Sequence, residues 1–305
     1  MALEPRTETA GAAFSPAGLV QGLLRRFSAA ARKYRLEWWI LVVGLVVILA
    51  ILCMTLFPWL FTHYDPLDQN AGGQLTAPSR AHFLGTDNLG RDIGARIIYG
   101  ARTIFGVAMA ASILSAGIGI PLGLISGFAG NIADKVLSLV MDSIYSFPGL
   151  ILAIAFAAML GPGVVNITLA VAVIYIPTYF RLVRGQTLSI KEELYVEAAR
   201  AIGARRPTIL ARYVFPNVIA TVVIVFSLNI ADAIVTESSL SFIGLGLPAG
   251  LPDWGLDLAM GKNFLPSGTW WMVTFPGLAI VILALGFTML GEGLAEILNP
   301  RLQEY

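Results

Sequence analysis

The groups in this chain that could do chemistry are few, and most lack the neighbours that chemistry needs. Its two histidines, His63 and His82, share one polar segment with no further cluster of ligands, too few donors for an ordinary metal site. Gly261-Lys262-Asn263 approaches a phosphate-binding loop but has no hydroxyl residue after the lysine and the wrong spacing before it. No His-Glu-x-x-His or Gly-x-Ser-x-Gly run occurs, and no nucleophile stands beside a base. The chain is therefore read as non-catalytic, with no cofactor or metal of its own. Its single cysteine, Cys53, lies in an apolar run, which excludes an internal disulfide. Three acids, Asp142, Asp232 and Glu237, interrupt otherwise apolar stretches. An ionisable group at membrane depth is a functional candidate, here as a proton relay. All three fall within about two turns of an expected helix end, where snorkelling or a capping partner satisfies them, so structural roles are favoured.

Apolar stretches of this kind make up most of the molecule. Hydrophobic residues are 57% of the 305 and charged residues 13%, with a mean hydropathy of +0.77. A soluble domain carries about a quarter charged residues. A net charge of +1 creates no bulk field that would draw nucleic acid. A bilayer core takes about 20 apolar residues as a helix. The expected architecture is all-α and polytopic, with six spans at roughly 38–60, 103–128, 136–160, 164–184, 216–237 and 271–291. A tail (1–37) precedes them, without the small-residue site of a cleavable leader, and another (295–305) follows. The core, 103–294, contains a basic loop at 185–215 and a Gly/Pro/Trp-rich loop at 238–270, and a long polar loop fills 61–102.

Orientation follows from the cations. Fifteen Lys and Arg fall in the tails, at Lys135 and around the 185–215 loop, against five on the opposite side. The positive-inside rule then places both termini and the basic loop in the cytoplasm. Trp38, Trp39, Trp59, Trp270 and Trp271 fall at span edges, as an aromatic belt in contact with lipid headgroups would. The second span repeats a small residue every fourth position, at Ala111, Ser115, Gly119, Gly123 and Gly127, a stripe that admits another backbone closely, in this chain or another. Pro121, Pro148, Pro177 and Pro276 sit inside four spans, as suits a protein that moves.

The most informative segment is the basic loop. Ser189 followed by Glu192 has the form of a capping box, starting a helix over 190–202 that Gly203 ends in a left-handed cap. Pro207 suits the first turn of a second helix running to Pro216. Ala198, Ala199, Ala201 and Ala204 give the first helix a shallow face for another protein to grip. An amphipathic connector lying on lipid is the alternative.

Glu197-Ala198-Ala199, Gly203 and Pro216 resemble the EAA loop of bacterial ATP-binding-cassette importer permeases, with Tyr213 and Phe215 where that loop has Ile and Leu. His82-Phe-Leu-Gly-Thr-Asp87-Asn-Leu-Gly-Arg91-Asp92, with Tyr99-Gly-Ala-Arg102 after it, is similar to the outer-loop signature of the dipeptide/oligopeptide permease family. So are Ser239-Leu-Ser241-Phe242-Ile-Gly-Leu-Gly246, Trp254-Gly255 and the ending Asn299-Pro-Arg-Leu302, with Asn for the usual Asp. The order of the blocks resembles the C-type subunit. The resemblance implies a type I importer permease fold in a bacterial inner membrane. It implies a paired B-type permease, two cytoplasmic subunits binding ATP and Mg, and an extracytoplasmic substrate-binding protein. Residues Glu197, Ala198, Ala199, Arg200, Gly203, Ala204 and Arg205 would couple to the ATPases. Asp87, Arg91, Asp92, Glu237, Ser241, Phe242 and Trp254 would form the outer loops and gate, with 239–255 as a re-entrant segment. The implied cargo is a dipeptide or oligopeptide, with nickel complexes, haem or another small solute as alternatives. A proton-coupled secondary transporter would call for an inverted repeat, and none is evident.

Overall fold

The computed structural model describes residues 35–248 and 250–298. Most of the expected tails, the Asn299–Leu302 block included, lie outside the described residues. Within them the chain is helical, and its one pairing of extended backbone is an isolated bridge between Thr86 and Asp92. The helices are α1 (Arg35–Leu56), α2 (Ile93–Ala129), α3 (Asn131–Tyr145), α4 (Gly149–Leu160), α5 (Val164–Ile190), α6 (Leu194–Ala201), α7 (Arg206–Phe242), α8 (Trp254–Gly261) and α9 (Trp271–Leu298). Five of them, α1, α2, α5, α7 and α9, are long and apolar enough to cross a membrane. The α3–α4 pair makes a sixth span if its two halves are taken together.

That third span is not the straight helix expected over 136–160. It starts at Asn131 and bends by 88° at Ser146-Phe147-Pro148. Pro148 brings no N–H to the ladder and drives the residue before it out of helical geometry, so the chain turns there. Helix α2 also departs from expectation, because the last turns of the supposed 61–102 loop are already helical. Asp92 is the reason: its Oδ1 accepts from the Ala95 N–H at 2.7 Å and caps the helix ten residues early. At 37 residues α2 spans about 55 Å. A hydrocarbon core is about 30 Å thick, so α2 projects beyond it.

The small-residue stripe of α2 meets α5 of the same chain. A Cβ on Gly119 would lie 2.7 Å from the Ile176 carbonyl oxygen, one on Gly123 2.7 Å from that of Phe180, and one on Gly127 2.7 Å from Thr187 Cβ. Ser115 Oγ donates to the Ala172 carbonyl across the same seam at 2.8 Å. Helix α1 rests on α9 in the same manner, with Gly44 and Gly293 against the facing helix. Where apolar surface gains little by leaving lipid, such contacts hold helices together by packing. The basic loop, with α6, occupies one end of the bundle. Segments 57–92 and 243–270 fold together as a cap over the other.

Candidate functional site

At the loop end, Ser189 does not cap a helix. Its hydroxyl bonds back to the Gly185 carbonyl at 3.4 Å, because α5 runs on to Ile190 and holds the serine in its last turn. The expected 190–202 helix is instead α6, Leu194–Ala201, with Glu193 as N-cap. Its other end is as expected. Gly203 has φ +83°, the Ala204 N–H donates to the Ala199 carbonyl and the Gly203 N–H to that of Arg200, each at 3.0 Å. This pair of bonds is a Schellman closure, which needs a residue free to adopt positive φ. The second helix does not end at Pro216. It is the first part of α7, which passes through a π-turn at Leu210–Val214 and continues to Phe242. A proline ring inside an α-turn would strike the carbonyl four residues back, and the wider π-turn just before Pro216 makes room for it.

The alanine face divides in two. Ala199 packs inward with Val196 against Val183, Ile209 and Val214, and Ala204 is half-buried. Glu197, Ala198, Arg200, Gly203 and Arg205 remain exposed, with the Arg200 guanidinium 5.3 Å above the Phe128 ring. The outward surface gains two residues that sequence reasoning missed, Leu194 at 80% and Ile202 at 82% exposure. Their signal was the four-residue spacing of Leu194, Ala198 and Ile202, which puts all three on one helix face.

At the cap end, Asp87 and Arg91 of the 82–92 block pair with one another and are buried. Arg91 Nε donates to Asp87 Oδ2 at 2.6 Å, and Asp87 Oδ1 accepts from the Leu89 and Arg91 N–H groups. Both side chains are under 6% exposed, so this is not the loosely held surface pair of an ordinary loop. Asp92, beyond its capping role, pairs through Oδ2 with His82 Nδ1 at 2.8 Å. No group of three or more metal-ligating side chains occurs among the described residues. The strongest polar contact of the cap was missed. Arg96, 1% exposed, grips both carboxylate oxygens of Asp257 and also donates to the Pro66 and Leu251 carbonyls. Burial pushes the Asp257 carboxyl up to about 6, against the downward pull of Arg96. No local signal marks this pair, whose members stand 161 residues apart.

Trp254 is buried and donates from Nε1 to the Ile97 carbonyl at 2.9 Å. Trp271, expected in the aromatic belt, instead donates to the Thr86 carbonyl at 3.2 Å and is 7% exposed, while its neighbour Trp270 stays outside. A buried indole N–H needs an acceptor, and the folded 76–86 turn supplies one. Glu237 is fully buried, with Ser241 Oγ donating to it at 3.2 Å and Asp253 beside it. Phe242 lies under the Lys262 ammonium, 4.3 Å from ring centre. The structure thus brings Glu237, Ser241, Phe242 and Trp254 to the same end as Asp87, Arg91 and Asp92, and leaves the Glu197–Arg205 set at the other.

Residues 119–304 match the family described as "binding-protein-dependent transport system inner membrane component". The dipeptide transport system permease protein of Alkalihalophilus pseudofirmus is 37% identical over 262 residues, covering 86% of each chain. The glutathione transport system permease protein of Pectobacterium atrosepticum is 38% identical over 263 residues, again covering 86% of each. A chain of the MetNI methionine ABC transporter, in an inward-facing conformation, superposes with a TM-score of 0.49 at 16% identity, over 67% of this chain and 96% of that one. The long apolar helices, the helix-closing glycine of the 185–215 loop and the sequence relatives converge, and the chain belongs to the inner-membrane permeases of binding-protein-dependent ABC importers, in the dipeptide/oligopeptide transport family.

Proposed function

We propose that this chain is one of two permease halves of an ATP-driven importer of small peptides. Both termini and α6 face the cytoplasm, where fifteen of the twenty Lys and Arg lie. A B-type permease completes the path, two ATPases holding ATP and Mg dock on α6, and an extracytoplasmic binding protein delivers cargo to the cap. Relatives named for dipeptide and glutathione transport support the cargo class. The observation that carries the coupling role is α6 itself: Leu194, Ala198 and Ile202 form an exposed apolar stripe edged by Glu197 and Arg205. Such a helix face suits a groove in a partner protein. Val196 and Ala199 on its opposite face fasten it to the ends of α5 and α7, so a push on α6 is passed to two spans. The cap, with Asp87, Arg91, Asp92, Glu237, Ser241, Phe242 and Trp254, serves as the outer closure.

Gly203 gives the test. A Cβ there meets nothing within 4 Å, so a substitution acts through backbone strain alone. Gly203→Val adds roughly 1–2 kcal/mol of strain at positive φ and redirects the turn that aims α6. In the reconstituted complex, insertion and pairing should persist while ATPase stimulation by loaded binding protein and peptide uptake both fall. Wild-type values of both would make the loop a passive connector. Glu197→Lys, a charge reversal on the same surface, should weaken ATPase attachment directly.

A further inference from the structure

The bend of the third span leaves a cavity of about 490 Å³ between α3, α4, α5 and α7, within the span region. That volume lies in the range of small-ligand sites. Tyr145, Tyr175, Thr178, Asn229, Asp232 and Thr236 supply polar groups to its wall. Tyr175 and Thr236 bond to one another across it at 2.9 Å, which fixes both. Asn229 is 4% exposed, and its Nδ2 has no hydrogen-bond partner among the described residues.

Asp232 is the group the fold leaves unanswered. It is exposed on the open side of the chain and forms no salt bridge or hydrogen bond among the described residues. It lies ten residues before the end of α7, about 15 Å along the helix from the cap end. A carboxylate on an apolar span would be costly if it faced lipid, so water or a cation suits this wall. Arg181 is already held by Asp142 at 2.7 Å and stacks over Tyr145 at 4.0 Å, so it is engaged elsewhere.

We infer that Asp232 is a cargo contact in the translocation path, binding the ammonium group of a peptide amino terminus, with Asn229 and Thr178 beside it for the adjoining amide. The cavity accommodates a small polar zwitterion, its single acid selects a cation, and the opposite wall is left to the partner permease. The inference rests on the peptide-importer reading and is separable from it by experiment.

The test uses the complete complex in vesicles, with Cys53→Ala and Thr178→Cys placed in this subunit. Thiol labelling is compared between a small ammonium reagent and a sulfonate reagent of similar size. With Asp232 present, the ammonium reagent should react about tenfold faster, and Asp232→Asn should bring the ratio to about one. A dipeptide should slow labelling in the Asp232 background. In the otherwise wild-type complex, Asp232→Asn should lower dipeptide uptake about tenfold, and Asp232→Glu should restore much of it. A ratio near one with Asp232 in place overturns the proposal, because a proton or a basic side chain of the partner then neutralises the acid. So does undiminished uptake by Asp232→Asn, which leaves the importer reading standing. Failure of the wild-type complex to move any peptide overturns the importer reading and the ammonium assignment together.

Discussion

A guanidinium buried as deeply as Arg96 is tolerated because its donors are met by Asp257 and by backbone carbonyls from two separate segments. Removing the acid leaves the cation buried and uncompensated. Asp257→Ala should therefore destabilise the protein by about 3–5 kcal/mol in thermal unfolding, far more than an exposed pair would. The pH dependence has the opposite sign from an ordinary salt bridge. Burial raises the Asp257 pKa to about 6, above the unfolded carboxyl. From about pH 4 to 6 the folded chain keeps a proton that the unfolded chain has released. This group's contribution to stability is full below that window and falls as pH rises through it. Asp257→Asn should flatten the slope in melts taken from pH 4.5 to 7. Asp87 and Arg91 are similarly enclosed, and Asp87 also pins the turn through two backbone N–H groups. Asp87→Ala and Arg91→Ala should each impair uptake while ATPase attachment, measured by co-purification, stays normal. Asp87→Ala should be the more damaging because it frees the backbone as well. Of this network, Asp87, Arg91 and Asp92 were legible through the resemblance carried by the 82–92 block. Arg96 with Asp257 was not, since contact across a fold follows from packing and not from spacing.

Among the elements, α2 against α5 shows what four-residue periodicity can and cannot say. The spacing of Gly119, Gly123 and Gly127 announced a close backbone approach, and the approach is there. Whether the neighbour lay in the same chain depended on topology that no local pattern carries. Gly123→Leu should separate the two helices at a cost of about 1–3 kcal/mol or more, lowering the melting temperature and the yield of paired permease. Gly106→Ala on the same helix is the contrast. A Cβ at Gly106 meets nothing within 4 Å, so that change should be neutral or stabilising by up to about 1 kcal/mol. Five of the six expected spans were legible as single helices because apolar length is a strong signal. Their ends were not: Asp92 extends α2 by a cap, and Pro216 sits inside α7 because a π-turn accommodates it. Pro148 was visible as a helix breaker, whereas the 88° angle depends on what α3 and α4 pack against.

At the scale of the whole molecule, the chain has no phosphate-binding loop and, on the proposed function, supplies only half of the translocation path. Vesicles holding this subunit alone should therefore show neither ATP hydrolysis nor peptide uptake, and addition of the paired permease, the ATPases and the loaded binding protein should restore both together. Uptake by the lone subunit would sink the proposed function. The two ends of the bundle are joined by α7 as well as by α2, and the 37 residues of α7 extend from Arg206, just after the glycine turn, to Phe242 under the cap. Along about 55 Å it is interrupted by neither loop nor break, only by the π-turn near its start. A strut of that kind works as a lever with a short compliant collar. A tilt of about 10° at the collar carries Glu237 and Ser241, about 35–40 Å away, through roughly 6–7 Å.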